Sequence, residues 1–383
     1  MFPRIKQSLS AGLAALLLLS LLLLAAEALL RYFADPFSVI TARTARQFQP
    51  ILTVSDRYHH DLPAGRTFRN TGADGRQISL RTNLLGCRGP AFSKDTSPQD
   101  YRILVLGDET VFGGHVQEEA TLPARIAQLM RGMTTLSLEV INGGVPGYCP
   151  LLSRLKFQHT LQVLKPQLVI LHVDMSDLAD EEAFRSFLET SAGVESCQHP
   201  AALLNAETQT GVLQQSALLN QILTGLRHDG AGMLSIRGES CGLYRYHWIT
   251  DEKSDFRIQT GHLLESISRL NEQVRSSGGH LLVSTCPVIW QLHDCGRYRE
   301  LNELCQVRAR TPITSTRPFD TLAEYCEVSN IHFVSCLDDF RQRADSEDCF
   351  DEQLPFLSEQ GLMLYARSIA EYLSSNPPAR WPE

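Results

Sequence analysis

A surplus of positive charge is missing from this chain. Its 35 Lys and Arg are outnumbered by 43 Asp and Glu, for a net charge of −8. No Lys/Arg stripe with interleaved aromatics runs along it, so nucleic acid is excluded as a partner. Metal-type spacing is missing too. The ten cysteines contain no CxxC pair and no zinc-like arrangement, and no metal or cofactor is expected. His59-His60 reads as a solvated loop in preference to a metal pair. There is no internal repeat and no low-complexity tract beyond one N-terminal apolar run. Histidine is absent after His332, which removes every late candidate for an imidazole base.

What is present is the composition of an ordinary globular protein, 43% apolar and 20% charged over 383 residues, enough for a full core. Residues Ser8 to Ala26 form an uncharged Leu/Ala-rich run of 19 residues behind Arg4 and Lys6. That length crosses a bilayer as a helix. Basic residues ahead of it keep the N-terminus cytoplasmic and place the C-terminal part outside, periplasmic or extracellular. Ala26-Glu27-Ala28 also loosely matches a signal-peptide cleavage site, but the apolar run exceeds the 7–15 residues usual for a signal. A single-pass membrane anchor is the expectation. Ten cysteines fit an exported chain. Cys286 and Cys336, in apolar strand-like runs, are expected to be buried thiols. Cys197 and Cys241 flank a polar stretch and are the expected disulfide.

Residues 1–31 thus form the anchor. Residues 32–99 follow as a stalk (32–62) and a small β-hairpin region, marked by turn signals at Thr71-Gly72 and Asp74-Gly75 and the alternation Gln77 to Thr82. From residue 100 strands and helices alternate. Unbroken apolar runs at Ile103–Leu106, Leu138–Ile141, Leu168–Val173, Leu281–Val283 and Ile331–Val334 read as strands buried on both faces. Helical spacing occurs at Leu122 to Met130, Leu151 to Leu164, Leu263 to Val274, and Leu362 to Leu373 behind an N-cap candidate, Ser358. The expected fold is α/β, a three-layer α/β/α domain over 100–375 with a doubly wound five-stranded parallel sheet. A polar, irregular insertion at 178–255 contains one helix-like piece, Val212 to Leu226, and residues 376–383 form a tail.

Four short blocks fall at strand ends. Gly107-Asp108-Glu109 follows the first strand. Asn142-Gly143-Gly144-Val145-Pro146-Gly147 follows the second, and Asp174-Met175-Ser176-Asp177 the third. Gln353-Leu354-Pro355-Phe356-Leu357-Ser358-Glu359-Gln360-Gly361 precedes the last helix. In this order they resemble the blocks of the SGNH (GDSL-type) hydrolases, and Thr82-Asn83-Leu84-Leu85-Gly86-Cys87-Arg88-Gly89-Pro90 is similar to a leader of membrane-anchored bacterial members. The resemblance covers residues 75 to 375. It implies an SGNH-hydrolase-like fold and a serine nucleophile, a histidine base oriented by an aspartate, and a three-donor oxyanion hole.

Transferred position by position, that machinery is replaced. The nucleophile position is Glu109, the base position Phe356, the orienting-acid position Gln353 and the oxyanion asparagine position Ser176. Only the oxyanion glycine, Gly144, remains. A carboxylate about 4 Å from a developing oxyanion costs on the order of 4 kcal/mol at an effective dielectric near 20, comparable to the roughly 10³–10⁴-fold catalysis a triad-less site retains. The first reading is therefore a membrane-anchored pseudo-hydrolase that binds an acylated glycan or an enzyme of envelope polysaccharide assembly. A second is an active esterase or acyltransferase-type enzyme on envelope glycans, using Glu109 with Asp108 as a carboxylate pair. A third is a structural envelope protein without a ligand.

Overall fold

The computed structural model describes residues 18–25, 51–71, 75–92, 100–134, 137–199, 246–250, 255–305, 307, 313–343, 345–351 and 356–377. Five strands form one sheet: β1 (Asp100–Leu106), β2 (Ser137–Asn142), β3 (Leu168–His172), β4 (His280–Thr285) and β5 (His332–Ser335). They lie in the spatial order β2-β1-β3-β4-β5, and every neighbouring pair is parallel. All five coincide with the apolar runs.

The reason is visible in the burial. Ile103, Val105, Leu168, Ile170 and Leu282 point into one apolar cluster, while Leu104, Leu106, Val169, Leu171, Leu281 and Val283 point into another. Alternate residues of one strand thus serve two cores, which is why the central stretches Ile103–Leu106 and Leu168–Leu171 are apolar without a break. Helices α2 (Leu122–Met130) and α7 (Glu359–Ser375) cover the first face through Leu122, Ile126, Met130, Leu362, Ile369 and Leu373. Helices α5 (Arg257–Ser276) and α6 (Arg317–Val328) cover the second through Leu263, Ile267, Leu270, Val274, Leu322 and Cys326. Truncating any of these leucines to alanine costs about 2–5 kcal/mol. Ser358 caps α7 as expected, its hydroxyl accepting the Gly361 N–H at 3.3 Å.

Several expectations need correction. The stretch from 178, read as irregular, opens with helix α4 (Asp177–Arg185) and an antiparallel hairpin, Leu188–Ser191 with Val194–Cys197. Its polar look misleads because Asp177, Asp180 and Glu181 are themselves buried. The helix expected over Leu151 to Leu164 is α3 (Pro150–Lys156) continued by a π turn over Phe157–Leu161 and a 3₁₀ turn over Gln162–Leu164. Residues 51–62 do not behave as a stalk. Thr53–Val54 pairs with His60–Asp61, Asp61 forms an ion pair with buried Lys156 at 2.5 Å, and the His60 carbonyl accepts the Tyr148 hydroxyl at 2.7 Å.

His59 and His60 are accordingly not solvated: both are 0% exposed. Nδ1 of one lies 3.0 Å from Nδ1 of the other. Cys197 is a free, buried thiol whose Sγ donates to the Phe184 carbonyl at 3.4 Å, so it is not the disulfide partner expected; Cys241 lies outside the described residues. Cys286 and Cys336 are buried free thiols, as read from their strands. The expected hairpin is in place, Thr67–Thr71 against Gln77–Arg81, with Ile78 and Leu80 facing the core. Residues 18–25 are helical; no helix among the described residues is long and apolar enough to cross a membrane. Most of the Ser8–Ala26 run and all of Val212–Leu226 lie outside the described residues.

Candidate functional site at the carboxyl edge of the sheet

The chain leaves β1 toward β2 on one side, and β3 lies on the other. This reversal opens a switch point at the carboxyl ends of β1 and β3, where open α/β sheets place ligands. Gly107 makes the turn out of β1 with φ +150°, and a Cβ there would lie 2.9 Å from that of His172 and 2.8 Å from Val111 Cγ2. No larger residue fits. Asp108 caps the short helix α1 (Glu109–Phe112), its Oδ1 accepting the Thr110 N–H at 2.9 Å. Gly113, with φ +67°, ends it.

Glu109 begins α1 and is 2% exposed. Its Oε2 accepts the Gly147 N–H at 2.9 Å, so the carboxylate consumes a backbone donor of the second block. Gly144 packs so tightly on α1 that a Cβ would lie 2.5 Å from the Phe112 nitrogen. Its own N–H donates to Asn142 Oδ1 at 3.1 Å, while Asn142 Nδ2 donates to the Val111 carbonyl at 2.9 Å. The oxyanion glycine of the resemblance is thus engaged within the fold. Arg88, from the leader segment, closes the far end of α1: its guanidinium donates to the carbonyls of Phe112 and Val116 at 2.8 Å each, and to that of Gly113.

Ser176, after β3, is 1% exposed. Its hydroxyl donates to Asp174 Oδ2 at 2.6 Å and its N–H to the same oxygen at 3.0 Å. Phe356, 2% exposed, shares an apolar cluster with Phe112, Val145, Tyr148, Ile78 and Leu80. Glu109, Gly144, Ser176 and Phe356 are therefore brought to one end of the sheet. Gln353 lies outside the described residues. Asp351 is buried beside this loop, its N–H donating to the Phe356 carbonyl at 2.9 Å.

Two residues at this end, His115 and His172, escape a reading by motif. His115 stacks on Phe356, with its Nε2 2.8 Å from the Leu357 carbonyl. Burial holds its imidazole below the ordinary histidine range, against the opposing pull of the Leu357 hydrogen bond and of Asp351 and Glu109. His172 ends β3, and burial pushes it down to about 4. Asp174 follows it. Asp177 is raised well above the carboxylate range by burial and by the neighbouring charges of Asp174, Asp108 and Asp180. The only sequence signal for His172 was a histidine closing an otherwise apolar strand run. His115 gave none.

Chemically, this end of the sheet gathers buried carboxyl groups. Asp108, Glu109, Asp174, Asp177 and Asp180 are all buried there, and the two glycine amides nearest the elbow donate to side chains of the chain itself.

No family model and no curated protein matches the chain. Among solved structures it is similar to the lipase/acylhydrolase from Enterococcus faecalis, at 12% identity and a TM-score of 0.41 over 73% of this chain and 99% of that one. It is also similar to a catalytic mutant of Axe2, an acetylxylan esterase from Geobacillus stearothermophilus, at 11% identity and a TM-score of 0.38 over 73% of this chain and 96% of that one.

Proposed function

We propose that this chain is a membrane-anchored, SGNH-hydrolase-like protein that has lost ester chemistry and serves as a binding protein at the cell envelope. The order of the four blocks along the chain supports the family reading. The uncharged run behind Arg4 and Lys6 supports a single-pass anchor with the C-terminal domain on the non-cytoplasmic side. One observation carries the loss of chemistry. The side chain at the nucleophile position is the buried carboxylate of Glu109, held by the Gly147 N–H at 2.9 Å.

A second reading, an active esterase or acyltransferase working through Glu109, is favoured by His115. Its Nδ1 is buried without a hydrogen bond, in the field of Glu109 and Asp351. It would stand in for the missing base. Titrating the full-length protein in detergent with an O-acetylated envelope glycan and its deacetylated form separates the readings. The proposal expects binding that prefers the acetylated glycan, with no acetate released. Acetate release abolished by His115→Ala and by Glu109→Ala would establish the second reading instead, and neither binding nor release would leave a structural role.

A further inference from the structure

The carboxyl ends of β1 and β3 carry a feature that the hydrolase resemblance does not use. Asp108, His172 and Asp174 each offer one ligand atom, and these atoms lie within 4.8 Å of one another. All three side chains are buried: 4%, 1% and 7% exposed. Nε2 of His172 faces Asp108 Oδ1 at 3.8 Å, beyond hydrogen-bond reach, and makes no hydrogen bond.

A relay on the other side of the ring fixes what that nitrogen presents. The Tyr365 hydroxyl donates to Ser284 Oγ at 2.8 Å, and Ser284 Oγ donates to the Leu171 carbonyl at 3.5 Å. With its proton so committed, the Tyr365 oxygen accepts from His172 Nδ1–H at 2.8 Å. Nε2 is then the unprotonated nitrogen, on the side of the ring that faces Asp108. Three candidate ligand atoms thus converge at the ends of two neighbouring strands.

We propose that this is a divalent-cation site, with Asp108, His172 and Asp174 as protein ligands and zinc as the ion. One imidazole and two carboxylates form a borderline-to-hard set that zinc accepts, with an open fourth position for water or a further oxygen. The ligands are oriented as ligands of built sites are. Tyr365 holds the imidazole, the Thr110 N–H holds Asp108, and the Ser176 N–H and hydroxyl hold Asp174. Asp177 Oδ2 accepts the Asp174 N–H at 2.9 Å. Metal–ligand bonds of about 2.0–2.2 Å place ligands about 3–3.5 Å apart, so side-chain rotations of about 1 Å close the site. The cation would tie the turn after β1 to the end of β3 and offset the charge gathered from Asp108, Glu109, Asp174 and Asp180. Motif reading does not find it, because its ligands come from two strand ends far apart in the chain.

The test uses the full-length chain, purified without a polyhistidine tag, stripped with EDTA and dialysed against zinc. Elemental analysis is expected to give about one zinc per chain. The melting midpoint is expected to rise by about 5 °C, reversibly on chelation. His172→Gln and Asp174→Asn should each lower zinc occupancy at least about tenfold. Because either variant could fold poorly, zinc-edge X-ray absorption on the wild-type chain is the independent measurement. It should report nitrogen and oxygen neighbours at about 2.0–2.2 Å and no sulfur. Zinc at blank level after dialysis, undiminished zinc in His172→Gln, or a sulfur shell from the buried cysteines would each overturn the assignment.

Discussion

The phenyl ring of Phe356 lies stacked on the imidazole of His115, with 5.0 Å between ring centroids and 17° between planes. The place that the resemblance gives to a catalytic base is thus a packing position. The histidine nearest to it is tied through Nε2 to the Leu357 carbonyl. An imidazole is present at this end of the sheet, but it is used to hold the loop before α7 against the elbow. This relationship makes Phe356 a stability residue.

Phe356→Ala should therefore destabilise the protein by about 3–4 kcal/mol, since a fully buried aromatic leaves a cavity that its neighbours fill only in part. Phe356→Leu should recover more than half of that loss. Chemical denaturation of the three proteins side by side measures both. A loss for the alanine variant below about 1 kcal/mol would mean that the ring is not an anchor of the core.

Arg88 offers a second check, on how the leader segment supports the elbow. Its guanidinium is 3% exposed and bonded to successive carbonyls at the end of α1, and burial brings it down to about 10. Arg88→Ala should cost about 3 kcal/mol, because three buried carbonyls lose a charged donor. Arg88→Lys should restore only a minor part, as one ammonium cannot reproduce the planar fork. Full rescue by lysine would show that charge alone matters at this position.

Glu181 predicts a pH dependence. Burial raises its carboxyl from 4.5 to about 7, against the opposing hydrogen bonds from Ser266 and the Leu151 N–H and the charge of Arg185. Between these two values the folded chain holds a proton that the unfolded chain has released. Stability from this group therefore falls as pH rises through the window, by about 3 kcal/mol in total. Glu181→Gln removes the term, so the variant should gain on the wild type by about that amount between pH 4.5 and pH 8. Thermal or denaturant melts at the two pH values measure the difference. A gap that stays constant with pH would contradict the raised carboxyl.

Residues with a local signature were legible in the sequence. Ile103 to Leu106 and Leu168 to Leu171 announce central strands because both faces of each are buried, which leaves an unbroken apolar run. Gly107 and Ser358 were legible because a turn and a cap each restrict the residue type, while Gly144 was picked out only through the resemblance. Helix α4 was not legible, since the side chains it buries include Asp177, Asp180 and Glu181, whose burial depends on partners such as Ser176, Ser266 and the Leu151 N–H. His59 and His60 were misread for the same reason: the Pro146 carbonyl and the rings of Phe184 and His199 that enclose them come from distant parts of the chain. His115 and His172 matter through Phe356, Tyr365 and Asp108, contacts made only in the fold.

The most direct test of lost ester chemistry is p-nitrophenyl acetate turnover by the full-length protein, measured beside Glu109→Ala and a matched protein blank. The account predicts that both proteins stay at the blank, and that Glu109→Ser does as well, because an unactivated serine still lacks a base. Turnover by the wild type that Glu109→Ala abolishes would contradict it, and would make Glu109 a catalytic carboxylate.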